Sequence, residues 1–133
     1  MQVILLIHPD LAVIGELTFL LQHLGFKVVS AIEGQQALAE IYSRHPDVVI
    51  VAEGNCRSSG NGLCLRIREL CQAPIIILGQ EQEKADEIEI PNMGADAYLS
   101  TPLNLRDLLA SVRLLARRPE ANSGQGAKED FAS

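Results

Sequence analysis

Pro46-Asp47-Val48-Val49-Ile50-Val51 is the stretch from which the fold follows. Beyond the aspartate the run is apolar without alternation, so the strand it forms has no solvent face and is covered on both sides, as strands of a parallel sheet are. Apolar runs of strand length recur at Val3–Ile7, 27–30, 75–78 and 97–100, and the segments between them have helical period. Strands separated by helices in this way predict a doubly wound α/β fold with a five-stranded parallel sheet.

Working outward, the helix before this run, at 33–44, sets Ala37, Leu38 and Ile41 on one face. His45-Pro46 closes it, because the residue before a proline is pushed out of helical geometry. The first helix carries Ile14, Leu17, Leu21 and Leu24 at steps of three and four residues, and Gly25 supplies its left-handed stop. A third helix, about 62–72, offers Leu63, Ile67 and Leu70 to the core, with Cys64 and Cys71 flanking that face. The last, about 105–117, presents Leu105, Leu108, Val112 and Leu115, with Asn104 and Asp107 as a capping pair. Segment 81–92 is acidic and contains Pro91, so its helix is expected to be short, kinked or partly unwound. From Pro119 the composition turns polar and small, which predicts a domain over 1–118 and a flexible linker or disordered tail over 119–133.

With 133 residues, 47% of them hydrophobic, the chain suits one well-buried core. A net charge of −6 argues against direct nucleic-acid binding by this domain, which would need a basic stripe. Cys56, Cys64 and Cys71 are odd in number and show no C-x-x-C spacing, so neither a disulfide framework nor a zinc site is expected. There is no basic leader before the first apolar run, and no apolar stretch approaches the ~18 residues of a membrane span. The expectation is a soluble cytoplasmic protein with no membrane contact.

In a doubly wound sheet, ligands sit at the carboxyl ends of the strands beside the topological switch point. Function is therefore sought in the turns after the first, third, fourth and fifth strands. Across about residues 2–118 those turns and their flanks resemble the receiver domain of two-component response regulators. The resemblance rests on the Pro46 to Val51 string, Gly62-Leu63 opening the third helix, Pro74-Ile75-Ile76-Ile77-Leu78, and Gly94-Ala95-Asp96-Ala97-Tyr98-Leu99. The ending Thr101-Pro102-Leu103-Asn104-Leu105-Arg106-Asp107-Leu108-Leu109 is most similar to receivers that precede a winged-helix DNA-binding domain.

That resemblance implies the flavodoxin-like (βα)5 fold with strand order 2-1-3-4-5. In a working receiver an acidic pair after the first strand holds Mg²⁺, and an aspartate ending the third strand accepts a phosphoryl group from a histidine kinase. A hydroxyl after the fourth strand and a lysine after the fifth bind the phosphoryl oxygens, offsetting their charge. In this chain the acidic pair falls on His8 and Pro9, the nucleophile on Ala52, the hydroxyl on Gly79 and the lysine on Thr101. Glu53 is one position from the nucleophile, and a one-residue shift along a strand points a side chain to the other face, so it is not expected to substitute.

The implied function is an atypical receiver, a pseudo-receiver without enzymatic activity, serving protein interaction and dimerisation in bacterial signal transduction or transcription control. Tyr98 resembles the family's switch aromatic, which moves inward when the hydroxyl after the fourth strand engages phosphate; with Gly79 there, it is expected to be fixed in one state. The surface made by segment 81–92, the fifth strand and the last helix corresponds to the family's dimer interface, with Asp96, Asp107 and Arg113 as candidates for charged pairs across a two-fold. Pro102 occupies the usual cis-proline position and is expected to be cis. A DNA-binding domain beyond the C-terminus would complete a regulator of this kind.

The alternative is a small-molecule, anion or metal sensor reusing the vacant pocket. His8, Asp10 and Glu53 lie near the strand ends, but three such residues are more often solvated than ligating, and no metal or cofactor is expected. Cys56, in the loop over the vacant pocket, offers a redox-sensor reading, but an incidental exposed thiol is the stronger one because only Arg57 is near to lower its pKa; Cys64 and Cys71 read as core residues. The Gly/Ser-rich run 54–62 has the composition of an anion cradle but lacks the Lys-Ser/Thr ending of a P-loop, so it is expected to be a flexible surface loop. The D-x-H-x-x-G element of a cobalamin site is missing after the first strand.

Overall fold

Five strands, β1 (Val3–Ile7), β2 (Lys27–Ala31), β3 (Val48–Ala52), β4 (Ile75–Gln80) and β5 (Ala97–Thr101), form one sheet in the order β2-β1-β3-β4-β5. The computed structural model describes residues 2–58, 62–80 and 95–116, with 57, 58, 80 and 101 described by backbone alone. Every neighbouring pair of strands is parallel, as the unalternating apolar runs require. Among the described residues the crossovers are α1 (Leu11–His23), α2 (Gly34–Arg44), and the pair α3 (Glu53–Ser58) and α4 (Leu63–Leu70); α5 (Leu105–Ala116) follows β5.

All of β3 is buried because each face of the sheet has its own core. On one face Leu5, Val49, Val51, Ile75 and Ile77 pack with Ala37 and Ile41 of α2 and Leu63, Cys64 and Ile67 of α4. On the other, Ile4, Leu6, Val48, Ile50 and Ile76 pack with Ile14, Leu17 and Leu21 of α1 and Leu108 and Val112 of α5. Each such fully buried aliphatic side chain contributes about 1.5–3 kcal/mol.

The helix ends follow from local chemistry. Asp10 caps α1, its carboxylate accepting from Ala12 N at 2.9 Å, and Gly25 turns the chain away at φ 101°. His45 ends α2 at φ 49°, a left-handed conformation uncommon for a residue with a Cβ. Asn104 Oδ1 accepts from Arg106 N at 2.8 Å and Asp107 N at 3.2 Å, which caps α5.

One expectation is corrected. The start of the run read as a flexible surface loop is the helix α3, although glycine, asparagine and serine are poor helix formers. Three anchors hold it: Glu53, Asn55 and Cys56 are all buried, and Asn55 Nδ2 donates to Ile32 O at 3.0 Å. The predicted helix at 81–92 with Pro91, and the predicted tail at 119–133, lie outside the described residues.

Candidate functional site

The strand order reverses between β1 and β3, and the crevice at their carboxyl ends is where a ligand is expected. A cavity of about 610 Å³ opens there. His8 and Pro9 reach it from the end of β1, Ala52 and Glu53 from the junction of β3 and α3, and Gly79 from β4, with Glu16 and Leu20 of α1 and Leu103 closing the far wall. The structure therefore gathers His8, Pro9, Ala52, Glu53 and Gly79 around one space. Thr101 ends β5, its backbone in register with Gln80 of β4.

Asp10 takes no part in the lining. Its carboxylate is the α1 cap, and its backbone N–H donates to His8 Nδ1 at 3.0 Å. That acceptor role suits a neutral imidazole, and burial holds the His8 pKa below its ordinary value, against the opposing pull of the Asp10 charge. His8, Asp10 and Glu53 are thus not assembled as a ligand set; among the described residues no group of three or more His, Cys, Asp or Glu is placed to hold a metal ion.

Glu53 overturns the expectation that it turns away from the pocket. It is only 4% exposed, and its Oε1 accepts from the Tyr98 hydroxyl at 2.8 Å. The alternation argument applies to extended backbone, and the chain becomes helical at Glu53, so the side chain swings over β4 instead. Gly79 makes room for this contact: a Cβ there would overlap Tyr98 Oη and Cζ and Glu53 Oε1. Tyr98 lies opposite Ile77 on the neighbouring strand and packs against the core that holds Cys56 and Cys64. A glycine on β4, a tyrosine on β5 and an acid after β3 were the available signal. Their meeting depends on α3, which the sequence did not announce.

These residues do not suit Mg²⁺. A hard cation needs several oxygen ligands, whereas Pro9 and Ala52 offer no side-chain donor, His8 offers nitrogen, and the Glu53 carboxylate receives the Tyr98 hydroxyl. An apolar wall with a neutral imidazole and two carboxylates, Glu16 and Glu53, also disfavours an anion.

The remaining candidates sit elsewhere. Asp96 Oδ2 accepts from Ile75 N at 2.8 Å and pairs with Arg68 Nη2 at 2.5 Å, tying the start of β4 to α4 within the chain. Arg68 also donates to Ala73 O at 3.0 Å. Asp107 and Arg113 are exposed on α5. Among the described residues no helix is long and apolar enough to cross a membrane.

Comparison with known proteins agrees with this architecture. The family model of the response regulator receiver domain matches residues 4–113. The chain is 32% identical over 117 residues to the probable transcriptional regulator ycf27 of Cyanophora paradoxa, covering 88% of this chain and 49% of that protein. It is 28% identical over 126 residues to the sensory transduction protein RegX3 of Mycolicibacterium smegmatis, covering 95% of this chain and 55% of the relative. The chain thus spans about half the length of these curated relatives. Among solved structures, a two-component response regulator from Clostridium difficile superposes with a TM-score of 0.75 at 29% identity, covering 89% of this chain and 98% of that one.

Proposed function

This chain belongs to the response regulator receiver domain family, and from that premise we propose that it is a receiver whose output does not depend on phosphorylation. It acts as a protein-interaction and dimerisation module in bacterial signalling or transcription control, in the cytoplasm, and it is not an enzyme. The observation that carries this reading is the Tyr98–Glu53 hydrogen bond over Gly79. In the family's scheme the aromatic of β5 moves inward when a hydroxyl after β4 engages phosphate. Here the inward space is available because residue 79 has no side chain, and the partner is a carboxylate built into the chain. A hydrogen bond contributes about 0.5–1.5 kcal/mol, enough to favour the inward position by roughly twofold to tenfold. Ala52 supports the same reading, since a methyl group at the end of β3 has no oxygen with which to accept a phosphoryl group.

The partner surface proposed is the side of β5 and α5, where Asp107 and Arg113 are exposed. DNA contact in a full regulator would belong to a separate domain, because this chain carries a net charge of −6. The reading is tested by amide ¹H–¹⁵N spectra recorded with and without Mg²⁺ and beryllofluoride, a phosphoryl mimic. Unchanged spectra are expected; shifts concentrated at Ala52, Glu53 and Gly79 would sink it.

The cavity favours a second reading, a small-molecule sensor. Its volume of about 610 Å³ and its lining fit a neutral or cationic apolar compound. A ligand present at 100 times its Kd stabilises the fold by about 2.7 kcal/mol, so a thermal-shift screen of apolar amines and uncharged heterocycles that yields no stabilisation refutes it.

A further inference from the structure

The Cys56 and Cys64 sulfurs lie 3.2 Å apart, one on α3 and the other on α4. Both residues are buried, at 6% and 2% exposure, and neither is in a disulfide. This corrects the reading of Cys56 as an exposed thiol. The cause is the helical turn of α3, which carries Cys56 inward beside Glu53 and Asn55 and packs it in the same core as Cys64, Ile67 and Tyr98. A disulfide has an S–S distance of about 2.05 Å, so closure asks the sulfurs to approach by roughly 1.2 Å.

We propose that Cys56 and Cys64 are a redox-active dithiol, closed by peroxide-class oxidants into an intramolecular disulfide that ties α3 to α4. The Cys64 thiolate attacks one oxygen of hydrogen peroxide; an S–O bond forms, the O–O bond breaks, and the departing hydroxide takes up a proton to become water. The Cys56 sulfur then attacks the Cys64 sulfenic sulfur. The S–S bond forms, the S–O bond breaks, and the leaving hydroxide carries off the Cys56 proton as a second water. Two electrons leave the sulfur pair and two reduce the peroxide.

Arg68, four residues on from Cys64 along α4, places a cation on the same helix face and favours Cys64 as the attacking thiol. The hydrogen bond from Cys56 holds its pKa below the ordinary thiol value; burial opposes this, and the Arg68 charge assists it. Cys56 is thereby placed as the resolving thiol, already in contact with the sulfur it must attack. Cys71, outside this contact and only half-buried, serves as the internal control. The chemistry does not depend on how the neighbouring cavity is used.

The test is to expose the reduced full chain to equimolar hydrogen peroxide, quench with an alkylating agent, and map the tryptic peptides. Arg57 lies between the two cysteines, so trypsin places them on the separate peptides 45–57 and 58–66. Expected is a dithiothreitol-reversible link between these peptides, with alkylable thiols falling from three to one and Cys71 alkylated throughout. Cys56→Ala should slow the oxidation of Cys64 about tenfold, and Cys71→Ser should leave the rate unchanged. The proposal is overturned if all thiols remain alkylable, if Cys71 enters the bridge, or if only intermolecular disulfides form. Because the wild-type chain alone supplies the decisive map, a variant that fails to fold does not weaken the result.

Discussion

Replacing Gly79 with alanine tests the central contact most directly. The new Cβ would occupy the position of the Tyr98 hydroxyl and Glu53 Oε1, the far ends of two side chains, so both must move and the Tyr98–Glu53 hydrogen bond is expected to break. Its loss costs about 1–3 kcal/mol, because the acceptor is shielded from water. Alanine recovers about 0.5–1 kcal/mol relative to glycine within a strand, leaving a net destabilisation of roughly 0–2.5 kcal/mol. Tyr98→Phe deletes the hydroxyl alone and should cost about 1–3 kcal/mol. In the Gly79→Ala background, however, the hydroxyl has already lost this partner, and Tyr98→Phe should cost less than about 0.5 kcal/mol. Urea unfolding followed by far-ultraviolet circular dichroism measures all three variants, a fitting probe for a chain without tryptophan. Additive effects within about 0.5 kcal/mol would refute the reasoning, because two mutations that break one bond cannot each exact its full cost.

Two further outcomes are expected. Burial lowers the His8 pKa, with Asp10 opposing, so the unfolded chain binds the proton more readily than the folded one. The His8 contribution is therefore complete above its ordinary value of 6.5 and is lost as pH falls from there through the folded pKa. His8→Gln should flatten that part of the stability–pH profile, and an unchanged slope would remove His8 as its source. Asp96→Ala should destabilise the fold by about 1–3 kcal/mol, since it strips the acceptor from Ile75 N–H and separates Arg68. Arg68→Ala in that background should add less than it does alone, and a full additive loss would show that the pair does not act as one unit.

The parts of the fold legible in the residue pattern are those set by near neighbours. Five apolar runs without alternation predicted five parallel strands, and each was found within two residues of its expected end. Asn104 was expected to cap the last helix, and its side chain accepts two backbone N–H groups there. At the candidate site, the resemblance to receiver domains assigned His8, Pro9, Ala52 and Gly79 to the strand ends, and they meet around one cavity that Asp10 does not line. Glu53 was placed on the wrong side because a rule for extended chain was carried into a helix. Cys56 was left at the surface because the Gly/Ser-rich run around it read as a loop and not as the helix α3.

Apolar period and strand-end position, read along the chain, settle the layers, the parallel sheet and which residues border the crevice, because those depend on where each backbone segment must hide its side chains. The direction of Glu53, the meeting of Cys56 with Cys64, and the pairing of Arg68 with Asp96 were decided only when α3, α4 and β5 packed together. Each joins residues on different elements, and α3 itself, rich in weak helix formers, exists because Asn55 and Cys56 find their places in a core built by the rest of the chain.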